Sequence, residues 1–407
     1  MTLEVVTFGC RLNALESEAM RDVAGAAGLT DAVLVNTCAV TAEAVRQARQ
    51  AIRRAARDQP GRPIVVSGCA VQIAPEDFRD LPGVVRLVGN NDKGRAEAYR
   101  GEARAMSDVF AEARPPVPAR PLTDRVRAHL AVQTGCDHRC TFCVIPYGRG
   151  ASRSVPAGEV LRQVRELVAS GVREVVLTGV DLTSWGQDLP GRPPLGRLVR
   201  RILKGAPDLK RLRLSSIDAA EIDAELLAAF AEEARLMPYL HLSLQHGDDL
   251  ILKRMKRRHL RADAAALVQR VRAVRPDLAF GADLIAGFPT EDEAAFANLL
   301  SLIDDLDLAY VHAFPFSPRP GTPAARMPQV PREVVKARAA EIRDAGARAL
   351  TRHLERGAGR LVTALVERGG RARAPDHTEI DWTGEPGTLV ELRLVGHDGR
   401  RARAEIA

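Results

Sequence analysis

The 407-residue sequence has few aromatic residues, no long apolar run and no recognisable secretory leader. Aromatic side chains make up only 4% of the chain, which disfavours a partner held by a row of base-stacking rings. No apolar run approaches the roughly 18 residues typical of a membrane helix. The opening MTLEVVTFGC lacks a basic segment followed by an apolar one. We therefore expect no membrane span and no secretory signal, and we expect the cytoplasm as the location.

Size and charge set broad limits on the class of protein. Hydrophobic residues make up 46% of the chain, so we expect a globular protein with a sizeable core. The length predicts two or three domains. The 59 Lys and Arg residues exceed the 52 Asp and Glu residues, giving a net charge of +7 that mildly favours a polyanionic partner.

Six cysteines are the most informative residues, because in a cytosolic chain they are more often metal ligands or catalytic thiols than disulfides. Residues 1–105 alternate apolar strand-like segments with helical ones, which predicts a doubly wound parallel α/β domain. Cys10, Cys38 and Cys69 each follow one of the first three strands. Because the carboxyl ends of parallel strands meet at one edge, we expect a shared metal site. The alternative is three unrelated buried cysteines.

The rest of the chain predicts a linker and two further domains. Residues 106–127 are rich in Pro and Arg and are expected to form an extended linker. Residues 128–355 contain six strand-like segments with helical segments between them, which predicts a partial TIM-like (β/α)6 barrel. Residues 356–407 contain three strand-like segments and Gly-rich turns, which predicts a small antiparallel β module.

The other three cysteines form the compact motif C-x3-C-x2-C at Cys136, Cys140 and Cys143, directly after the first barrel strand. Three thiolates on one loop can hold three corners of a [4Fe–4S] cluster and leave the fourth iron open to a ligand. The alternative is a Cys3His zinc site with His138 as the fourth ligand. That site is awkward, because His138 lies between two cysteines only four residues apart.

With an aromatic residue, Phe142, before its last cysteine, this motif resembles the signature of radical S-adenosylmethionine (SAM) enzymes. Three further cysteines in an N-terminal α/β domain narrow the resemblance to the methylthiotransferases, over essentially the whole chain. The C-terminal segment resembles a TRAM domain. The matching strings are FGCRLN at 8–13, NTCAVT at 36–41, SGC at 67–69 and ADLIAGFP at 282–289.

The resemblance implies two [4Fe–4S] clusters with different tasks. The cluster at Cys136, Cys140 and Cys143 would bind SAM, whose reductive cleavage yields a 5′-deoxyadenosyl radical. The second, on Cys10, Cys38 and Cys69, would carry or donate sulfur. A second SAM would supply the methyl group, so that C–H becomes C–SCH3. The reaction needs an electron donor, such as a reductase or flavodoxin-type protein, and a sulfur source, neither of which the sequence identifies.

The resemblance and the barrel positions also suggest the cofactor contacts, while no catalytic residue beyond the cluster ligands is assigned. The expected SAM-contacting residues are Phe142, Gly179, Ser215, Ser216, Asp283, Ile285 and Gly287. Four of these positions have a structural alternative. Gly179 could be an ordinary turn glycine, Ser215 and Ser216 could cap a helix N-terminus, and Ile285 could simply pack in the core.

The partner implied by the resemblance is tRNA. The segment 252–261 carries six Lys or Arg residues and no acid, which suits contacts with the phosphates of tRNA. The alternative is that this run forms a solvated surface. A structural ion pair is the alternative for the two arginines that follow the cluster loop. The residues expected to contact tRNA are Arg149, Arg153, Lys253, Arg254, Lys256, Arg257 and Arg258.

The strings NTCAVT and LTGV most resemble the subgroup that acts on N6-threonylcarbamoyladenosine beside the anticodon. The alternatives are the isopentenyladenosine subgroup and the ribosomal protein S12 subgroup. A different class remains open as well, namely a non-catalytic iron–sulfur or zinc RNA-binding protein that senses redox state. His246 stands where the family commonly has a small Ser, which leaves its role in the pocket open.

Overall fold

The computed structural model describes residues 3–100, 106–111 and 126–407. Most of the linker predicted at 106–127 lies outside these residues, so its extended conformation and the domain boundary placed there stay predictions. Among the described residues, no helix is long and apolar enough to cross a membrane.

The N-terminal domain is a four-stranded parallel sheet in the order β1-β2-β3-β4, with helices on both faces. One face packs against α1, and the other against α2 and α4. This agrees with the parallel α/β domain expected from the sequence. The strands are β1 (Glu4–Thr7), β2 (Val33–Thr37), β3 (Ile64–Gly68) and β4 (Val84–Val88). The helices are α1 (Arg11–Ala26), α2 (Ala42–Asp58), α3 (Cys69–Ile73) and α4 (Glu76–Arg79).

The central domain contains the six parallel strands that the sequence predicts for a partial barrel. They form two sheets, β5-β8-β9 and β10-β11-β12, joined by single bridges such as Ile217 to Leu242. The predicted first strand is divided into β5 and a short β6, which pairs with β7. The strands are β5 (Arg127–Ala131), β6 (Gln133–Thr134), β7 (Arg153–Ser154), β8 (Glu174–Thr178), β9 (Arg211–Leu214), β10 (Tyr239–Gln245), β11 (Ala279–Ala286) and β12 (Tyr310–Pro315).

The helices of this domain surround the strands, and the apolar faces of these helices form one core with the strands. The last helix packs against β11, β12 and the preceding helix and leads into the C-terminal domain. The helices are α5 (Ile145–Arg149), α6 (Ala157–Ala169), α7 (Leu195–Gly205), α8 (Ala224–Glu232), α9 (Asp249–Met255), α10 (Arg261–Val274), α11 (Glu293–Asp305) and α12 (Arg332–Arg356).

The C-terminal segment is a small closed barrel in the order β13-β14-β15-β17-β16. Its pairings are antiparallel, as expected, except that β15 and β17 are parallel. The sequence did not reveal β14 and β15, because each has only three residues and carries charges. The strands are β13 (Leu361–Glu367), β14 (Arg371–Arg373), β15 (Glu379–Asp381), β16 (Leu389–His397) and β17 (Ala402–Ile406).

The two flanking domains contact opposite ends of the central barrel. The N-terminal domain covers the carboxyl ends of the barrel strands, where α3 packs against α5 and the Ala42 N–H donates to Ser317 Oγ over 3.1 Å. The C-terminal barrel closes the other end, where Arg211 at the start of β9 donates to the Arg373 carbonyl over 3.1 Å. The carboxyl ends of the N-terminal strands therefore face the carboxyl ends of the barrel strands. This end of the barrel is here called the mouth, and the opposite end the closed end.

Candidate active site between two cysteine triads

Cys10, Cys38 and Cys69, here called the dispersed triad, lie at one edge of the N-terminal sheet. Each follows its strand directly or within three residues, as Cys10 follows β1, Cys38 follows β2 and Cys69 follows β3. Cys10 is exposed and precedes the first turn of α1, whereas the other two are buried. The parallel strands therefore bring the three thiols to the same edge.

Two glycines bring the loops of the dispersed triad close together. Gly9 has φ +93°, and a Cβ there would lie 2.5 Å from the Cβ and Sγ of Cys38. Gly68 has φ +108°, and a Cβ there would collide with the Thr37 backbone. Only glycine suits both the backbone conformation and the space, which explains the Gly-Cys pairs in the sequence.

The thiols of the dispersed triad share one electrostatic environment. Burial raises the pKa of Cys38 to about 11, although the Val40 N–H, 3.5 Å from its Sγ, lowers it. The thiols of Cys69 and Cys10 contribute to this rise, and the charge of Arg149 opposes it. Near neutral pH the Cys38 thiol is therefore protonated, and a metal that binds there must displace the proton.

Cys136, Cys140 and Cys143, here called the compact triad, lie on the loop between β6 and α5. Backbone bonds hold the loop, because the Cys136 N–H donates to the Gly150 carbonyl over 3.1 Å. Thr141 Oγ1 also donates to the Arg254 carbonyl over 2.7 Å. Burial raises the pKa of the Cys143 thiol to about 11, and a neighbouring Cys140 thiol raises it further.

His138, on the same loop, pairs with Asp181, which follows β8. Its Nε2 lies 2.8 Å from Asp181 Oδ2, and Cys136 Sγ lies 3.9 Å from that oxygen. Ligand atoms of Cys136, His138 and Asp181 all lie within 4.8 Å of one another. This group is the arrangement that a zinc site would use here.

The two triads approach each other across the interface between the domains. A Cβ on Gly148 of α5 would lie 3.2 Å from the Cβ of Cys69. The Cys69 thiol also contributes to the raised pKa of Cys143, after burial and the Cys140 thiol. Six cysteines separated by up to 133 positions in the chain thus form one site with two halves.

Two residues that follow elements of the barrel, Ser215 after β9 and Arg257 after α9 and beside Cys140, offer polar atoms that could hold a ligand. Ser215 Oγ is buried and has no hydrogen-bond partner among the described residues. It caps no helix, since Asp218 and Asp223 cap the turns that follow. Arg257 donates to Asp218 Oδ2 over 2.7 Å and lies 3.6 Å from Cys140 Sγ. Ser216 is half-buried next to Ser215.

Gly179 lies where β8 ends, and a Cβ there would lie 2.8 Å from Gln133 Oε1. That oxygen accepts from the N–H groups of Val180 and Asp181, both over 2.9 Å. The close approach of Gln133 accounts for a glycine at this position whether or not a cofactor lies nearby.

A cavity of about 210 Å³ opens between the two halves of the site. Val40, two residues after Cys38, lines it on one side, and Phe142, next to Cys143, lines it on the other. Asp283 and Ile285 of β11 also line it, as does Phe314 of β12. The cavity is therefore bordered by a neighbour of each triad and is mostly apolar.

Asp283 is held as an anion by two histidines. Its Oδ1 accepts from His241 Nε2 over 2.9 Å and from His312 Nδ1 over 3.1 Å. Burial alone would raise the pKa of Asp283, but these two bonds outweigh burial and lower it below the usual range.

Gly287 does not line the cavity. It has φ +70°, its N–H donates to Glu291 Oε1 over 3.0 Å, and Val335 occupies the space where a Cβ would lie. His246, at the end of β10, is also buried behind the cavity wall, with its Nε2 2.9 Å from Glu291 Oε2. Both residues support the local backbone.

The structure separates the predicted tRNA-contacting residues into buried and exposed ones. Arg149 is only 3% exposed and its guanidinium is fully engaged, which favours the ion-pair alternative over a tRNA contact. Arg153 is buried and donates to the Arg149 carbonyl over 2.7 Å. Arg254 donates to Thr290 Oγ1 over 2.7 Å, and Arg257 points inwards to Cys140. The exposed members are Lys253, Lys256 and Arg258.

Sequence reasoning missed the residues that join the two halves of the site. Asn13 ends the string FGCRLN noted above and Glu16 follows three residues later, but nothing in the sequence links them to Arg149, more than 130 residues away. Lys93 and Asn90 follow β4 and carried no signal of their own. A periodicity identifies strands and helices, whereas partners across a domain interface depend on the tertiary fold.

Comparison with known proteins identifies the family. Residues 130–303 match the model described as the radical SAM superfamily, and residues 2–89 match one described as uncharacterized protein family UPF0004. The chain is 47% identical to threonylcarbamoyladenosine tRNA methylthiotransferase MtaB of Rickettsia prowazekii, covering 97% of this chain and 94% of the relative. The chain belongs to the radical SAM methylthiotransferase family. As a member, it is a transferase that uses SAM and a [4Fe–4S] cluster.

Two further matches bear on the family and on the fold. The chain is 35% identical to the tRNA-2-methylthio-N(6)-dimethylallyladenosine synthase of Erythrobacter litoralis, over 97% of this chain and 94% of the relative. The radical SAM methyltransferase TsrM from Kitasatospora setae is similar in structure, with a TM-score of 0.56, 16% identity, and coverage of 91% of this chain and 82% of that one. At this identity, the second match supports the fold alone.

Proposed function

We propose that this methylthiotransferase converts N6-threonylcarbamoyladenosine, adjacent to the anticodon of tRNA, to its 2-methylthio derivative, using two [4Fe–4S] clusters. The observation that carries the proposal is the approach of the two cysteine triads at one domain interface, beside a cavity lined by Val40 near Cys38 and by Phe142 next to Cys143. The 47% identity to a threonylcarbamoyladenosine tRNA methylthiotransferase supports the substrate. SAM would serve both as the radical source and as the methyl donor.

Each triad suits a cluster with one open iron. Three thiols and no fourth protein thiol are available on either side, since all six cysteines are used and all are free. When bound, the clusters would supply the electron that cleaves SAM and the sulfur that enters the product. The chain itself holds the two groups of thiols close together and largely removes them from bulk water, because two of the six cysteines are buried and three are partly buried.

The polar atoms near Cys140 would orient SAM. Arg257 offers a cation beside Cys140, and Ser215 Oγ offers an unused donor and acceptor in a buried position. A carboxylate or hydroxyl group of SAM would satisfy both. Arg257 thus changes from a predicted tRNA contact to a proposed cofactor contact. Phe142, Asp283 and Ile285, which the sequence predicted to contact SAM, line the cavity, and their contact with SAM stays a proposal.

The cavity between the triads would receive the substrate base. An adenine C2 in a stacked anticodon loop is inaccessible, so the base must be extruded into the site. Phe142 and Phe314 offer apolar faces to a flat base, and the aliphatic neighbours Val40 and Ile285 exclude water around it. Lys253, Lys256 and Arg258 remain the proposed phosphate contacts, since each is exposed. The electron donor and the sulfur source are partners that the chain does not identify.

The proposal is tested by mass spectrometry of tRNA nucleosides from a strain that lacks this protein. We expect the 2-methylthio form of threonylcarbamoyladenosine to disappear and the unmethylthiolated form to accumulate. Loss of the methylthio form of isopentenyladenosine instead would favour the subgroup represented by the Erythrobacter litoralis relative. An unchanged tRNA profile together with unmodified ribosomal protein S12 would favour the ribosomal substrate.

Two cysteine variants test the separate tasks of the triads. Cys140→Ala is expected to abolish SAM cleavage, whereas Cys38→Ala is expected to retain cleavage and to lose methylthiolation. Methylthiolation by Cys38→Ala would contradict the role of the dispersed triad.

The second candidate function is a non-catalytic zinc or iron–sulfur RNA-binding redox sensor. The grouping of Cys136, His138 and Asp181 favours it. Stoichiometric zinc and no SAM cleavage in protein purified without oxygen would support this candidate and contradict the enzyme.

A further inference from the structure

The short helix α5 connects the two triads. It begins two residues after Cys143 of the compact triad and ends at Arg149, whose side chain enters the N-terminal domain. Arg149 Nη1 donates to Glu16 Oε1 over 2.6 Å, and its Nη2 donates to Asn13 Oδ1 over 2.7 Å. One barrel residue therefore reaches two residues of α1, the helix that follows Cys10.

Asn13 holds two loops of the dispersed triad at once. Its Nδ2 donates to the Phe8 carbonyl over 2.9 Å and to the Thr37 carbonyl over 3.0 Å. Phe8 precedes Cys10 by two residues, and Thr37 directly precedes Cys38. Since Arg149 occupies the only oxygen of the Asn13 side chain, it fixes the amide orientation that both bonds require.

The third loop is held by the same helix. Asn90 Nδ2 donates to the Gly148 carbonyl over 2.5 Å and lies 3.6 Å from Cys69 Sγ. All three loops of the dispersed triad are therefore connected by hydrogen bonds to the last two residues of α5.

The same contact leaves a buried positive charge in excess. Glu16 is one anion between two cations, because Lys93 Nζ lies 2.5 Å from its Oε2 and Arg149 contacts both of its oxygens. Lys93 is fully buried and Arg149 is 3% exposed. Arg149 directly follows Gly148, where a Cβ would lie 3.2 Å from the Cβ of Cys69, and it contacts the first two turns of α1, which begins directly after Cys10. Thiolates at these positions would balance the positive charge that Glu16, shared between Lys93 and Arg149, leaves in excess.

We propose that Arg149 is a positioning residue of the dispersed triad, supplied by the barrel domain. Through Asn13 it fixes the loops of Cys10 and Cys38, and its charge stabilises an anionic metal-bound form of the triad. Assembly of the dispersed site therefore depends on docking of the N-terminal domain on the barrel. This inference rests on the proposed second cluster.

The test compares anaerobically reconstituted Arg149→Met, Arg149→Lys and wild-type full-length protein by iron content and by Mössbauer and EPR spectroscopy. Arg149→Met leaves Glu16 and Lys93 as a neutral pair, so no new buried charge is created. We expect its affinity for the second cluster to fall about 10- to 100-fold, as is typical when a residue that orients metal ligands is removed. SAM cleavage by the first cluster is expected to remain.

Arg149→Lys separates charge from hydrogen bonding. A lysine retains the positive charge but cannot donate to Glu16 and Asn13 with one planar group. We expect intermediate loading, and in the loaded fraction a reduction potential close to that of wild type. Asn13→Ala removes the same loop contacts without changing any charge, and is expected to reduce loading as well. If Arg149→Met does not fold, the loading of the second cluster in Arg149→Lys and Asn13→Ala tests the inference instead.

The matched control is Arg213→Met, which removes another buried arginine paired with a glutamate at the opposite end of the barrel. We expect it to load both clusters. Full loading of the second cluster in both Arg149→Met and Asn13→Ala, with an unchanged reduction potential in Arg149→Met, would overturn the inference. A wild-type protein that holds only one cluster would instead contradict the proposed function.

Discussion

The central barrel meets each neighbouring domain through a buried glutamate surrounded by cations, but the two ends differ in how the excess positive charge is compensated. At the closed end, Arg213 Nε lies 3.0 Å from Glu174 Oε1, and Arg127 and Arg211 lie within 4 Å of the same carboxylate. At the mouth, Glu16 is shared by Lys93 and Arg149.

The excess arginines at the closed end find acceptors in the C-terminal barrel. Arg213 donates to the Pro375 carbonyl over 3.0 Å, and Arg127 pairs with Glu367 over 2.9 Å. The excess cation at the mouth has the cysteines of the dispersed triad as its neighbours instead. The closed end is therefore complete as protein alone, whereas the mouth would be completed by the metal-bound thiolates of the proposed second cluster.

The largest expected effect comes from neutralising each glutamate. Glu16→Gln and Glu174→Gln each leave buried cations unpaired, and we expect about 3–5 kcal/mol of lost stability in metal-free protein. Denaturant unfolding of the two metal-free variants and of metal-free wild type measures this loss of stability.

The two variants are expected to differ once the clusters are loaded. Thiolates near Arg149 would offset part of the loss in Glu16→Gln, but nothing at the closed end changes for Glu174→Gln. Equal losses with and without metal in both variants would contradict the comparison.

Acid pH should weaken both ends. Burial alone would raise the pKa of Glu16, but Arg149 and Lys93 outweigh burial and lower it to about 2. At Glu174, burial likewise raises the pKa, but Arg213 and Arg127 outweigh burial and lower the pKa to about 2. A lowered folded-state pKa stabilises the protein above the unfolded-state value, so this stability is lost as pH falls from about 4.5 to about 2.

The expected loss is a few kcal/mol for each glutamate, measured by urea unfolding of metal-free protein across this range. The Glu16→Gln variant should lose stability less steeply with falling pH than wild type does. An identical pH dependence would mean that Glu16 is not held as an anion.

Gly68→Ala should affect the mouth alone. Alanine at φ +108° is strained, and its Cβ would collide with the Thr37 backbone between the Cys38 and Cys69 loops. We expect about 1–3 kcal/mol of lost stability and poor loading of the second cluster, measured by thermal unfolding and iron content. Gly28→Ala is a suitable control, because Gly28 also has a positive φ but has no atom within 4 Å of a Cβ. If the control loses iron as well, the effect of Gly68→Ala is not specific to the triad.

The smallest effect is expected for the exposed cations. Lys253→Ala and Lys256→Ala remove side chains that face solvent. Each should weaken tRNA binding modestly and reduce the slope of log affinity against log salt by about 1 if it contacts a phosphate. Fluorescence anisotropy with tRNA over a salt series measures this. An unchanged slope in both variants would place the phosphate contacts elsewhere.

The sequence predicted the strands well and the side-chain partners poorly. Apolar segments at 174–178 and 280–285 identified barrel strands because a strand buried by helices has a continuous apolar pattern. The cysteine positions followed from the same strands, since Cys38 and Cys69 directly follow β2 and β3. The basic run at 252–261 did not reveal which of its side chains face solvent. Lys253 on α9 is exposed, whereas Arg257 in the loop after α9 points inwards to Cys140. Arg149 needed the tertiary structure, since its partners belong to another domain.

The central claim is that this chain holds two clusters, one on each triad. The most direct test is iron and sulfide analysis, with Mössbauer spectroscopy, of wild-type protein reconstituted without oxygen. We predict about eight irons per chain, and about four in a Cys10→Ala, Cys38→Ala, Cys69→Ala triple variant. About four irons in the wild type, or the same iron content in wild type and triple variant, would contradict the claim.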